Sequence, residues 1–185
     1  MIISGDFKMA YKTIAYDFGG TLAEKANLSY TLISGIKERL QENKYNGIDN
    51  VVYSLKTQSA AESAVESAGL SNLIDGIYST GKYNSKEKDE ETFKSFYNEI
   101  RDSNKILLAY IDDSKEAVKA AVNAKKELKA DFDIYLVDKE GKENNEEGYQ
   151  VVKSAADVIY DGNKVNSEIE ADALSEANEH ATAEE

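Results

Sequence analysis

Residues 105–111, Lys-Ile-Leu-Leu-Ala-Tyr-Ile, form the most continuous apolar run of the chain, and an acid pair, Asp112-Asp113, closes it. A strand that is apolar on both sides has to be covered on both sides. That places it in the middle of a parallel sheet with helices packed above and below. The flanking sequence agrees with this position. Glu90–Arg101 carries Phe93, Phe96, Tyr97 and Ile100 on one helical face. Ser114 is a good N-cap for a following helix whose buried stripe is Ala117, Val118, Ala121 and Val122.

The same alternation extends in both directions. Upstream, residues 12–17 read as a strand, and 22–30 as a polar connection. Leu32, Ile33, Ile36 and Leu40 repeat at helical spacing toward Gly47, and 50–55 (NVVYSL) is a short β-rich run. An alanine-rich helix over 58–68 ends at Gly69, and 76–79 is a brief strand. Downstream come a strand at 133–137, a charged loop over 139–148, and a short strand with a helical turn in 149–159. Strands alternating with helices predict an α/β fold: a three-layer, doubly wound, Rossmann-like parallel sheet with helices on both faces. The expected domain spans 11–162, preceded by an extension at 1–10 and followed by an acidic tail at 163–185.

In such a sheet, ligands bind beyond the carboxyl ends of the strands. Three strands end in chemistry-bearing residues. Asp17 closes the first and is followed by Gly19-Gly20-Thr21; Ser54 closes the second; Asp112 and Asp113 close the apolar run. Glycines let backbone N–H groups approach an anion without Cβ clashes. Carboxylates brought together repel, so a cluster of Asp17, Asp112 and Asp113 implies a cation, and oxygen-only ligands suggest Mg2+. Lys82, Lys86 and Lys88 precede the helix leading into the apolar strand, and one of them can reach over to hold a phosphate.

Composition removes the competing chemistries. The chain has no cysteine and a single histidine, His180, which excludes thiolate chemistry and argues against a serine–histidine triad or a multi-histidine zinc site. A formal net charge of −13 argues against nonspecific nucleic-acid or anionic-membrane partners. No stretch suits a bilayer span or a signal peptide, so a cytoplasmic location is expected.

These residues resemble the haloacid dehalogenase superfamily of aspartyl-nucleophile hydrolases, over roughly Lys12 to Ile159. The first motif is similar to Tyr16-Asp17-Phe18-Gly19-Gly20-Thr21-Leu22, the second to Val51-Val52-Tyr53-Ser54, the third to Ser85-Lys86, and the fourth to residues 108–114. The resemblance implies a magnesium-dependent phosphohydrolase. Asp17 would be the nucleophile that forms an aspartyl-phosphate. Mg2+ would be held by Asp17, the Gly19 carbonyl, Asp112 and Asp113. Gly20, Thr21, Ser54 and Lys86 would hold or orient the phosphoryl group, with Lys82 or Lys88 as replacements for Lys86.

Two departures qualify that expectation. Phosphatases of the superfamily usually carry an acid two residues after the nucleophile, to protonate the leaving group and later activate water. Here that position is Gly19, and Glu24 is a distant substitute. The chain also lacks sequence for a large cap, which implies an open site and a bulky phosphorylated substrate, or a cap supplied by a partner. The missing acid keeps a second function in view, a catalytically silent binding or regulatory relative. A sugar-kinase-like site, suggested by Asp-Phe-Gly-Gly-Thr, needs two large lobes that a 185-residue chain does not supply. Oligomeric state is left open.

Overall fold

The computed structural model describes residues 10–160. The expected extension, but for Ala10, and the expected tail lie outside the described residues, as does His180. The strands are β1 (Tyr11–Tyr16), β2 (Ala23–Ala26), β3 (Ser29–Leu32), β4 (Ile48–Ser54), β5 (Gly76–Ser79), β6 (Lys105–Asp112), β7 (Asp133–Val137) and β8 (Gln150–Val152). The helices are α1 (Ile36–Tyr45), α2 (Gln58–Ser67), α3 (Glu90–Asp102) and α4 (Lys115–Leu128).

Six strands form one sheet in the order β5-β4-β1-β6-β7-β8, and every neighbouring pair is parallel. The chain lays β1, β4 and β5 outward to one edge. It then returns to place β6 on the other side of β1 and continues to β8. The direction of winding therefore reverses between β1 and β6, and a crevice opens at the carboxyl ends of strands at such a point.

Helices cover both faces. Ile14, Tyr16, Val52 and Ile111 pack with Ile36 and Leu40 of α1 and Ala64 and Val65 of α2. Ala15, Val51, Tyr53 and Tyr110 pack on the opposite face with Phe93, Phe96 and Ile100 of α3 and Val118 and Ala121 of α4. The apolar run is thus central and covered on both sides, as its composition requires.

One irregularity of β6 determines which way its terminal acid points. The pairing with β1 slips between Thr13 and Ile14, whose partners are Leu107 and Ala109, so Leu108 is an extra residue. Leu107 faces α3 and α4, whereas Leu108 and Ala109 both face the other layer. Side chains alternate strictly along a regular strand, so one added residue reverses the parity of everything after it. The bulge therefore turns Tyr110 and Asp112 to the α3–α4 side, the side to which Asp17 also turns after Ala15.

Two local expectations are corrected. Residues 22–30 are not a polar connection: β2 and β3 form an antiparallel hairpin. Its strands are only four residues each, and the alternation of Tyr30 and Leu32 over Ser29 and Thr31 is too short to stand out from a connection. Asn27 makes the turn in the left-handed region, which asparagine tolerates better than most residues. The first helix starts at Ile36 rather than Leu32, because Leu32 closes the hairpin and Gly35, at φ +81°, separates the two elements.

Candidate active site

Asp17 is anchored where β1 ends, its amide donating to the Ile111 carbonyl at 2.8 Å. Since β6 is the neighbour of β1, Asp112 arrives beside it. One carboxylate oxygen from each of Asp17, Asp112 and Asp113 lies within 4.8 Å of the other two. They open onto a cleft of about 980 Å³ lined also by Gly19, Ser54, Leu55, Lys56 and Lys88, by Glu90 at the start of α3, and by α4 as far as Asn123.

Every oxygen of Asp112 is engaged. Oδ1 accepts from the Ser114 amide at 2.8 Å, and Oδ2 accepts from Lys88 Nζ at 2.7 Å and from the Tyr110 hydroxyl. The side chain is 1% exposed. Lys88 Nζ also donates to Asp17 Oδ1 at 2.6 Å. The Lys88 ammonium lies over the ring of Tyr53, 5.2 Å from its centroid, and 5.9 Å from that of Tyr110. Two aromatic faces and two carboxylates thus fix one buried cation.

The electrostatics follow from that count. The Asp17 carboxyl is raised to about 7: burial is the largest cause, Lys88 pulls it down, and Asp112 and Asp113 add to the rise. Burial also raises Asp113, helped by Asp112. Burial works against the Lys88 charge, but Asp17 and Asp112 outweigh it and hold the ammonium above its ordinary value. The two shifts are compatible: a single ammonium shared by two acids is strongly held, while Asp17 is left incompletely compensated. Burial, then Asp112, keeps the Tyr110 hydroxyl protonated as a donor.

The residues fit a divalent cation. Three carboxylates against one ammonium leave a deficit of two positive charges at a point offering only oxygen ligands.

Among the expected residues, Asp17, Gly19, Ser54, Lys86, Asp112 and Asp113 all line the cleft. Ser54 is buried, its hydroxyl accepting from the Lys56 amide at 3.1 Å. Thr21 is buried behind Asp17, and its hydroxyl donates to Asp17 Oδ2 at 3.4 Å. The lysine assignment changes. Lys86 is exposed at the rim, and Lys82 pairs with Glu99 elsewhere; Lys88 is the buried lysine on Asp17. Asp89 explains the difference. It caps α3, its carboxylate accepting from the Thr92 amide at 2.8 Å, so the residue just before the cap is turned inward. Glu24 pairs with Lys139 and lines a separate cavity, so it is no substitute for the missing acid. Tyr53 and Tyr110 were not expected. The available signal was their parity: each lies on a central strand, and Tyr110 stands two residues before Asp112, on the same face.

Gly20 packs the loop against the acid pair. It sits at φ +81°, and a Cβ there would come within 2.0 Å of Asp113 Oδ2. Gly20→Ala should displace Asp113 and destabilise the fold by about 1 kcal/mol or more, readable as a lower midpoint in urea. Gly19 differs, since a Cβ there would meet nothing within 4 Å.

No protein-family model matches the sequence, and no curated protein matches it. The likeness is in structure. CbbY from Rhodobacter sphaeroides, in complex with phosphate, superimposes with a TM-score of 0.58 at 13% identity, covering 80% of this chain and 96% of that one. The L-2-haloacid dehalogenase of Xanthobacter autotrophicus, with chloropropionic acid covalently bound, gives 0.57 at 10% identity, covering 70% and 78%. Magnesium-bound YfnB from Bacillus subtilis gives 0.53 at 16% identity, covering 67% of this chain and 52% of that one. The chain shares the Rossmann-like α/β fold of these structures. No helix among the described residues is long and apolar enough to cross a membrane.

Proposed function

We propose that this protein is a hydrolase of the haloacid dehalogenase type acting on phosphorylated substrates, with Asp17 as nucleophile. The observation that carries the reading is the convergence of Asp17, Asp112 and Asp113, with Lys88 bonded to two of them, at the switch point of the sheet. Mg2+ held by the three acids and the Gly19 carbonyl would supply positive charge to a phosphoryl group, as the magnesium in YfnB and the phosphate in CbbY suggest.

The chain's own residues would do the rest. Asp17, fixed by its backbone and by Thr21, presents an oxygen to phosphorus. Lys88 and Ser54 hold phosphoryl oxygens, compensating charge as it develops. Tyr53 and Tyr110 keep Lys88 in place. The open cleft admits a bulky leaving group. A dehalogenase would use the same nucleophile, but a departing halide needs no divalent ion, and the acid trio favours phosphoryl chemistry.

Gly19 cannot donate a proton, and general acid help is typically worth about 10²–10⁴ in rate. Aryl and acyl phosphates should therefore react and simple alkyl phosphates should lag. The test is p-nitrophenolate release from p-nitrophenyl phosphate with and without Mg2+. Release that requires Mg2+ supports the reading; its absence with every aryl and acyl phosphate favours the second reading, a silent binding relative. That reading draws on the missing side chain at position 19.

A further inference from the structure

With Asp17 as nucleophile, the reading on which this rests, a phosphoryl group that arrives on it must later leave. Arrival and departure make different demands. On arrival, an Asp17 oxygen attacks phosphorus, the bond from phosphorus to the leaving oxygen breaks, and that oxygen departs with the electron pair. An aryl oxide or a carboxylate is stable as an anion and needs no proton. On departure, water attacks phosphorus and the bond to the Asp17 oxygen breaks. Asp17 regains its carboxylate, and inorganic phosphate leaves. The water must lose a proton to a base within hydrogen-bond reach.

Among the described residues, the acids of the cleft are committed elsewhere. Gly19 offers no side chain. Asp112 is held by Lys88, Tyr110 and the Ser114 amide. Asp113 belongs to the acid trio and packs on Gly20. Asp89 accepts from the amide and hydroxyl of Thr92. Glu116 accepts from the Ser114 hydroxyl at 3.3 Å, and Glu90 neighbours Lys94. The remaining acid, Glu87, is exposed on the rim.

We infer that the protein is a phosphoryl acceptor that retains what it takes: an acyl or aryl phosphate donor charges Asp17 readily, and the aspartyl-phosphate outlives its formation. The charged state, rather than rapid release of phosphate, is then the functional product, exposed in an open cleft where a partner can read it.

The experiment mixes the full chain with Mg2+ and p-nitrophenyl phosphate, follows p-nitrophenolate, and weighs the intact protein after acid quench. The expected result is a burst of one p-nitrophenolate per chain and a mass gain of one phosphoryl group. A steady phase should follow that is slower by about 10²-fold or more, the loss expected without a general base. The adduct should persist after gel filtration removes the donor, unchanged in lifetime in Glu87→Gln and shortened in Gly19→Asp, whose side chain has open space. Linear release without an adduct would overturn retention while leaving the hydrolase reading intact. A longer lifetime in Glu87→Gln would also overturn it, by identifying the rim acid as the base. Neither product nor adduct, with this donor and with acetyl phosphate, would instead sink the nucleophile reading and retention with it.

Discussion

Asp17→Asn should abolish Mg2+-dependent release of p-nitrophenolate, by a factor on the order of 10⁴ or more, as expected when a covalent nucleophile is removed. An amide oxygen is a poor nucleophile, and no neighbouring group takes over: Asp112 is buried under three bonds. The fold should survive. Asp17 carries an unfavourable charge, shown by its carboxyl rising to about 7 under burial, with the neighbouring acids adding to the rise. Asparagine keeps the shape and removes the charge. Its single carbonyl oxygen can keep the bond from Lys88, and its NH2 can donate to the Thr21 hydroxyl, which turns to accept. The midpoint of thermal unfolding should hold or rise while activity vanishes. A variant that unfolds instead would mean that Asp17 is a structural acid. Steady-state kinetics and a melting curve on one preparation make both readings.

Lys88→Met should damage both activity and stability, whereas Lys86→Met should leave both nearly intact. Among the described residues, Lys88 is the one lysine whose side chain is buried against two carboxylates, 5% exposed. Removing one partner of a buried ion pair typically destabilises by about 3–5 kcal/mol, because the remaining charge is left uncompensated. Here two acids would be stranded, so stability near neutral pH should fall by an amount in that range. Turnover should fall with it, since the phosphoryl group loses its side-chain cation. Excess Mg2+ should restore part of the stability, by supplying charge to the same acids. Lys86 is exposed, and a surface substitution of that kind usually changes stability by less than about 0.5 kcal/mol. Chemical unfolding of the two variants side by side, with and without Mg2+, decides which lysine belongs to the site.

The reversal of that lysine assignment illustrates what the sequence could and could not convey. Alternating apolar runs and amphipathic stretches were enough to read a parallel sheet covered on both faces, and strand-end positions were enough to nominate Asp17, Ser54, Asp112 and Asp113. Those features repeat with the period of a strand or a helix. The lysine lies in a loop without periodicity, where 82, 86 and 88 are equivalent on paper. The helix cap at Asp89 chose among them, and its partner Thr92 lies three residues downstream. The bulge at Leu108 was hidden for a related reason. An extra residue in an all-apolar strand leaves no polar marker on either side, yet it decides which face Asp112 joins. The hairpin at 23–32 was missed because its strands are only four residues long, and Glu24 and Lys25 break any apolar period before the Asn27 turn.

Glycine has two separate uses in the first loop. Gly20 is required by geometry, with a left-handed backbone pressed onto Asp113. Gly19 is not, since a side chain there would have room. The absence of an acid at 19 is therefore a chemical choice rather than a steric one, which is why its restoration is informative.

Everything rests on the three acids gripping one divalent ion, and a calorimetric titration of the full chain with Mg2+, repeated on Asp113→Asn, measures this directly. Asp113 is exposed, so its replacement tests ligation without disturbing the core. The expected result is one ion per chain in the native protein and an affinity weakened by about tenfold or more in Asp113→Asn, equivalent to about 1.4 kcal/mol or more. No binding at millimolar Mg2+, or binding that Asp113→Asn leaves unchanged, would contradict the account.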